Sequence, residues 1–303
     1  MSTRICSSNF LPCSACSASN PPRYNPIWRR LMGKLVSAVA TSHTFGLPDN
    51  HIEATERVAE GMREIGRRVR AAKPDILIIV SSDHLTNFDL DVQIPFAVGM
   101  ADGYEPLGDL GVPVRRYPGN RGFAAGLVQF ASNDGFDLVG LERVRPDHGI
   151  AVPNAMINVH ADVPLVPLYI NTVMETIPTC KRSYELGRVV ARYIREQRPN
   201  AERVAIVGSG GLSHWICMPD SGRINEEWDR GILDRIACGQ GRELATWTPA
   251  SIIEAGGNGG LEIAAWACML GAAGDATGSA IYYEPMHNWW TGMGGVAMHI
   301  DAA

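Results

Sequence analysis

ILIIVSSDHLTNF, residues 76–88, decides how the chain is read. Five aliphatic residues follow Pro74 and Asp75, then give way to Ser81-Ser82-Asp83-His84. An unbroken apolar run of that length predicts a strand buried on both faces, as in a sheet covered by helices. A histidine just past such a strand stands at its carboxyl edge, where open α/β sheets bind ligands. The pattern recurs. LVSAVATSH ends at His43, FDLVGLERVRPDH at His148 and RVAIVGSGGLSH at His214. Four of the eight histidines therefore follow predicted strands, which favours one shared site.

Outward from residues 76–82, periodicity predicts strands over 34–41, 90–100, 137–144, 165–170, 203–208, 279–284 and 294–300. Helices are expected over 51–72, 120–132, 152–159, 181–197, 224–238 and 249–255. In the first, Ala54, Val58, Met62, Ile65 and Val69 share one face, and Asp49 or Asn50 suits its N-cap. Asn120 caps the second. Residues 102–119 form a long Gly- and Pro-rich loop, a length usually tied to function or mobility. The alternation predicts one α/β domain over residues 34–303, its mostly parallel sheet flanked by helices and its site at the strand carboxyl ends. The first two strands are expected to form a right-handed βαβ unit.

Residues 1–33 contain four arginines, four prolines and no acid. They read as a disordered or artefactual extension before a functional start at Met32, or as an organelle transit peptide. The apolar fraction is 46%, charged residues are 19% and the net charge is −5, a balance without basic clusters that argues against nucleic-acid partners. No run approaches the ~18 apolar residues of a membrane span. Seven cysteines without a framework suggest reduced thiols and a cytoplasmic location, and the Cys13–Cys16 CxxC reads as incidental.

Glu262 stands in LEIAAWACML, a helical segment otherwise apolar all round. A carboxylate there needs a cation, a metal or a helix edge. With His43 and His84 it makes two imidazoles and a carboxylate, a set used by non-haem Fe(II) oxygenases and by hydrolytic zinc sites. Gly208–Gly211 matches neither a nucleotide-binding fingerprint nor a G-x-S-x-G elbow; it reads as a turn that brings His214 towards a ligand.

Ser42-His43, Ser82-Asp83-His84, Asp147-His148-Gly149, GSGGLSH at 208–214, INEEWD at 224–229 and Gly260-Leu261-Glu262, in this order, resemble the class III extradiol ring-cleavage dioxygenases. The resemblance runs from about Met32 to the C-terminus. It implies Fe(II) held by His43, His84 and Glu262, with dioxygen as co-substrate. It also implies His214 as the acid–base residue and His148 as a substrate contact or proton donor. The substrate would be a small catechol-type diol resembling protocatechuate, gallate or a dihydroxyphenyl acid, opened with insertion of both oxygen atoms. A homo-oligomer is expected, with or without a separate small α subunit. The sequence departs from the family where Thr44 and Phe45, not a nearby Pro, follow His43. Arg115 and Arg116 are candidates for a substrate carboxylate or plain surface. The competing functions are a zinc hydrolase using the same three ligands and a non-catalytic binding protein on the same fold.

Overall fold

The computed structural model describes residues 32–47 and 49–300, all within the contact unit Leu31–Ala303. Of the extension expected over residues 1–33, only Met32 and Gly33 are described; the CxxC pair and the transit-peptide reading lie outside.

The apolar runs form strands as their composition requires. In chain order they are β1 (Lys34–Thr41), β2 (Ile76–Ser81), β3 (Phe96–Gly99), β4 (Gly103–Tyr104), β5 (Tyr117–Pro118), β6 (Val139–Leu141), β7 (Leu165–Ile170), β8 (Arg203–Ser209), β9 (Gly278–Met286) and β10 (Thr291–Met298). The helices are α1 (Ile52–Ala71), α2 (Arg121–Asn133), α3 (His148–Ile157), α4 (Cys180–Gln197), α5 (Glu226–Ala237), α6 (Pro249–Gly256) and α7 (Ile263–Ala273). Eight strands make one sheet in the order β6-β3-β7-β2-β8-β1-β10-β9. Its centre, β7-β2-β8-β1, is parallel; β10 and β9 add antiparallel strands at one side, and β3 runs antiparallel to β7 at the other.

Period-two alternation sorts the strand residues between two cores. Ile76, Ile78, Val80, Val204 and Ile206 face α2, α4 and α7. Leu77, Ile79, Ala205 and Val207 face α1 and α3 through Ile65, Val69, Ile150 and Ile157. Every residue of β2 is buried, as ILIIVS predicted. α1 presents Val58, Met62, Ile65 and Val69 inward, and its outer face carries solvent-screened Arg–Glu pairs that add little stability.

β1, α1 and β2 form the expected unit of two parallel strands joined by a helix, with β8 lying between the strands. Two local expectations are corrected. α1 is capped at His51, with no side-chain bond from the expected Asp49 or Asn50. The segment expected as a strand from Leu90 is extended only at Phe96–Gly99, and the long loop folds in part into the β4–β5 ribbon.

β1, β8 and β2 are adjacent and parallel, so their carboxyl ends open on one edge. Thr41 pairs with Ser209 and Val80 with Gly208. His43, the GSGGLSH turn and His84 therefore leave the sheet side by side.

Candidate metal centre

The segment after each strand holds its histidine by a different device. Past β2, Asp83 accepts the backbone N–H groups of Thr86, Asn87 and Phe88, which folds the exit into a tight turn. Leu85 in that turn has φ +58°, the left-handed region. His84 stands at its start. Its backbone N–H and Nδ1 both donate to Asp147 Oδ2, at 2.8 and 3.1 Å.

Asp147 is fully buried and is also the N-cap of α3, accepting from Gly149 N at 3.1 Å. The Asp-His-Gly motif thus has three separate jobs. Asp147 caps the helix and orients His84, and His148 is the helix's first residue. Gly149 leaves room: a Cβ there would stand 2.4 Å from Ser81 Oγ and 2.9 Å from His84 Cε1. His148 consequently enters from a helix start, not from the short β6 strand that precedes it.

The GSGGLSH turn is explained residue by residue. A Cβ on Gly208 would meet the Ala265 carbonyl at 2.8 Å, so this glycine allows α7 to lie against β8. Ser209 Oγ gives its proton to the Gly149 carbonyl and faces His43 Nδ1 at 3.0 Å. That carbonyl is free of a helical bond because Pro153, four residues on, has no N–H. Gly210 and Gly211 have positive φ (+136° and +60°), and Gly211 N donates to Glu262 Oε2 at 2.7 Å. A Cβ on Gly210 would come within 2.6 Å of Glu262 Cβ.

Glu262 ends a 3-10 turn, Gly259–Glu262, immediately before α7. It is a helix-start carboxylate, yet it is buried, 5% exposed. The positive end of the α7 dipole and the Gly211 N–H make that burial tolerable. Burial raises its pKa, but His43 and His84 outweigh that and hold it well below the usual carboxylate range.

Hydrogen-bond logic fixes what faces the carboxylate. Ser209 spends its only proton on a carbonyl, so it must accept from His43 Nδ1–H. His43 Nε2, the nitrogen free of that bond, stands 3.5 Å from Glu262 Oε2. His84 Nδ1 donates to a carboxylate, so His84 Nε2, 2.9 Å from Glu262 Oε1, is a lone pair or carries an added proton. Burial disfavours that proton, but Asp147 and Glu262 together push the His84 pKa up to about 10. Two imidazole nitrogens and a carboxylate converge in a buried space, where a cation, proton or metal, balances the Glu262 charge. The outer bonds to Ser209 and Asp147 are the supports that metal-binding imidazoles use. The donor set fits a divalent metal with open positions.

His148 joins the cluster. One ring nitrogen each of His43, His84 and His148 lie within 4.8 Å of one another. The His148 ring is 4.1 Å from that of His84 and 5.2 Å from that of His43, centroid to centroid. Burial, then His43 and His84, lower its pKa, with Asp109 pulling the other way.

His214 makes no hydrogen bond or ring contact to the other four among the described residues. Its Nδ1 donates to the Leu212 carbonyl at 2.9 Å, which leaves Nε2 as an acceptor. Burial lowers its pKa against the pull of Glu262, so the ring is neutral at neutral pH. Gly257 and Gly259 wrap it: Gly259 N donates to the His214 carbonyl, and Cβ atoms on these glycines would overlap it.

Sequence reasoning missed Ser209, Asp147 and Asp109 as supporting residues, although the first two lay inside motifs it had quoted. It also missed Asp229 of INEEWD, fully buried, which accepts from Ser213 N, Ser213 Oγ and Tyr283 OH and so braces the turn carrying His214. Arg115 is no substrate clamp. Its guanidinium bonds to Tyr117 OH and to the Asn158 and Val159 carbonyls, closing the end of α3. Trp289 packs on Phe45 and donates to the Leu47 carbonyl, so the C-terminal aromatic segment holds the loop after His43.

Residues 37–294 match the family described as the catalytic LigB subunit of aromatic ring-opening dioxygenase. Among similar curated proteins is the 2,3-dihydroxyphenylpropionate/2,3-dihydroxicinnamic acid 1,2-dioxygenase of Photorhabdus laumondii, 27% identical over 85% of this chain and 95% of that protein. The enzyme of the same name from a Rhodococcus species is 27% identical over 86% and 96%. One from Pseudomonas putida is 31% identical over 67% of this chain and 62% of its own length. The crystal structure of an uncharacterized Escherichia coli K12 protein shares the fold, with TM-score 0.55 and 17% identity over 87% of this chain and all of that one.

Proposed function

Since the chain belongs to the LigB family of catalytic subunits of aromatic ring-opening dioxygenases, we propose that it is an Fe(II)-dependent extradiol dioxygenase of a 2,3-dihydroxyphenyl acid, with residues 34–303 as its catalytic domain. The observation that carries the iron site is the convergence of His43 Nε2, His84 Nε2 and Glu262, each imidazole held at Nδ1 by an acceptor. Iron(II) there supplies a charge that acidifies the diol hydroxyls and a redox-active centre for dioxygen.

The chain's own residues manage protons and geometry around it. His214, neutral and with Nε2 as an acceptor, takes a proton from a substrate hydroxyl. His148, whose ring lies 4.1 Å from that of His84, exchanges a proton with the ring-derived carbon or oxygen. Asp147 and Ser209 keep the ligand imidazoles in the Nδ1–H tautomer, so both Nε2 atoms stay directed inward. The Phe45–Trp289 pair and Val112, Ala151 and Met286 supply an apolar wall near the loop after His43.

The test is dioxygen uptake by anaerobically Fe(II)-loaded protein with 2,3-dihydroxyphenylpropionate, 2,3-dihydroxycinnamate, protocatechuate and gallate. Uptake with either of the first two supports the reading. Uptake with none of the four, or equal hydrolytic activity with zinc in place of iron, sinks it.

A further inference from the structure

We infer that Asp109 is a positioning residue for His148, fixing the imidazole with its Nδ1–H turned away from the site and Nε2 as the atom that exchanges protons. The inference rests on the reading of His148 as a proton-exchanging group.

Asp109 opens a 3-10 turn, Asp109–Gly111, in the long loop between β4 and β5. Its Oδ2 accepts from His148 twice, from the ring Nδ1 at 2.6 Å and from the backbone N at 3.1 Å. One oxygen thus fixes both the start of α3 and the rotation of the ring. The chain bends sharply to deliver it: Gly108, Leu110 and Gly111 all have positive φ, +86°, +49° and +75°. For Leu110 this left-handed conformation is strained, and its side chain is left exposed. The other oxygen, Oδ1, is buried without a hydrogen-bond partner among the described residues.

A plain helix cap does not account for this. The N-cap of α3 is already Asp147. The shorter of Asp109's two bonds goes to the ring, not to the backbone. Since a carboxylate can only accept, His148 Nδ1 carries hydrogen and Nε2 is left to the site. The pairing has the geometry in which a carboxylate orients a catalytic imidazole.

The test compares Asp109→Ala and Asp109→Asn with wild type in the Fe(II)-loaded full chain, using 2,3-dihydroxyphenylpropionate. In Asp109→Ala, kcat is expected to fall about 10- to 100-fold, with KM within twofold and iron content unchanged. Asp109→Asn, whose amide oxygen can still accept from Nδ1, should retain more kcat than Asp109→Ala. Nitrogen-15 imidazole spectra of the zinc-substituted protein should show His148 as Nδ1–H in wild type and shifted towards Nε2–H in Asp109→Ala. A tautomer unmoved in Asp109→Ala, or a kcat equal to wild type, overturns the inference. Loss of iron in Asp109→Ala also overturns it, because His148 would then be a metal ligand. His148→Ala turning over at the wild-type rate would instead remove the underlying reading, whatever the tautomer result.

Discussion

Gly259→Ala puts the catalytic reading of His214 under direct strain. A Cβ built on Gly259 would lie 2.0 Å from His214 Nε2, 2.1 Å from Cδ2 and 2.4 Å from Cε1. Ordinary carbon contacts start near 3.5 Å, so the ring edge must retreat by more than about 1 Å. It has little room, because the residue is 5% exposed and its Nδ1 is tied to Leu212. Gly259 does not adopt a positive φ, so alanine is compatible with the local backbone. Without the clash, the substitution would stabilise the fold by about 0.4–1 kcal/mol through the unfolded chain. The clash outweighs that gain and acts on the imidazole. Misplacing a reacting group by ~1 Å costs about 100-fold, or about 2.7 kcal/mol of activation free energy. Fe(II)-loaded Gly259→Ala should therefore lose at least about 100-fold in kcat for 2,3-dihydroxyphenylpropionate, measured by oxygen electrode, while keeping wild-type iron content. Wild-type turnover in a folded variant would refute the placement of His214 in the chemistry.

Other outcomes follow from the same contacts. His84→Ala should reduce bound iron to near background by elemental analysis, and full occupancy would remove His84 from the ligand set. Asp147→Ala should weaken iron binding about 10- to 100-fold in a chelator competition, through loss of the Nδ1 acceptor of His84, and cost about 1 kcal/mol or more of stability through the lost cap; unchanged affinity would make Asp147 structural only. His214→Ala should retain iron and lose about two to four orders of magnitude in turnover. Asp229 gives a pH signature: burial, against its three donors, pushes its pKa from 3.8 to about 6. A carboxyl whose folded pKa is raised contributes stability that is present below its unfolded pKa and lost as pH rises through the folded one. Between pH 4 and 7 wild type should lose up to about 3 kcal/mol relative to Asp229→Asn in urea unfolding, and a constant difference between the two would contradict the raised pKa.

The sheet was legible because its central strands are apolar on both faces, and ILIIVS at β2 is buried throughout as that pattern requires. Glu262 was legible for the opposite reason, as a lone charge in an apolar helix. Strand order was not, since periodicity says which residues are buried but not which strands pair; β8 between β1 and β2 is a tertiary choice. α3 begins at His148, four residues before the expected 152, with Pro153 in mid-helix freeing the Gly149 carbonyl for Ser209, a bond that local periodicity does not report. Asp109 was hidden in a loop with no period at all. Its partner is 39 residues away, and only the fold brings the two together.

The account stands most directly on Glu262 and the two imidazoles that face it. An anaerobic Fe(II) titration of wild type beside Glu262→Gln measures this without any assumption about substrate. Wild type should bind one equivalent per chain, and Glu262→Gln, which keeps the shape and loses the charge, should bind none tightly. One tight equivalent in Glu262→Gln would contradict the site as described.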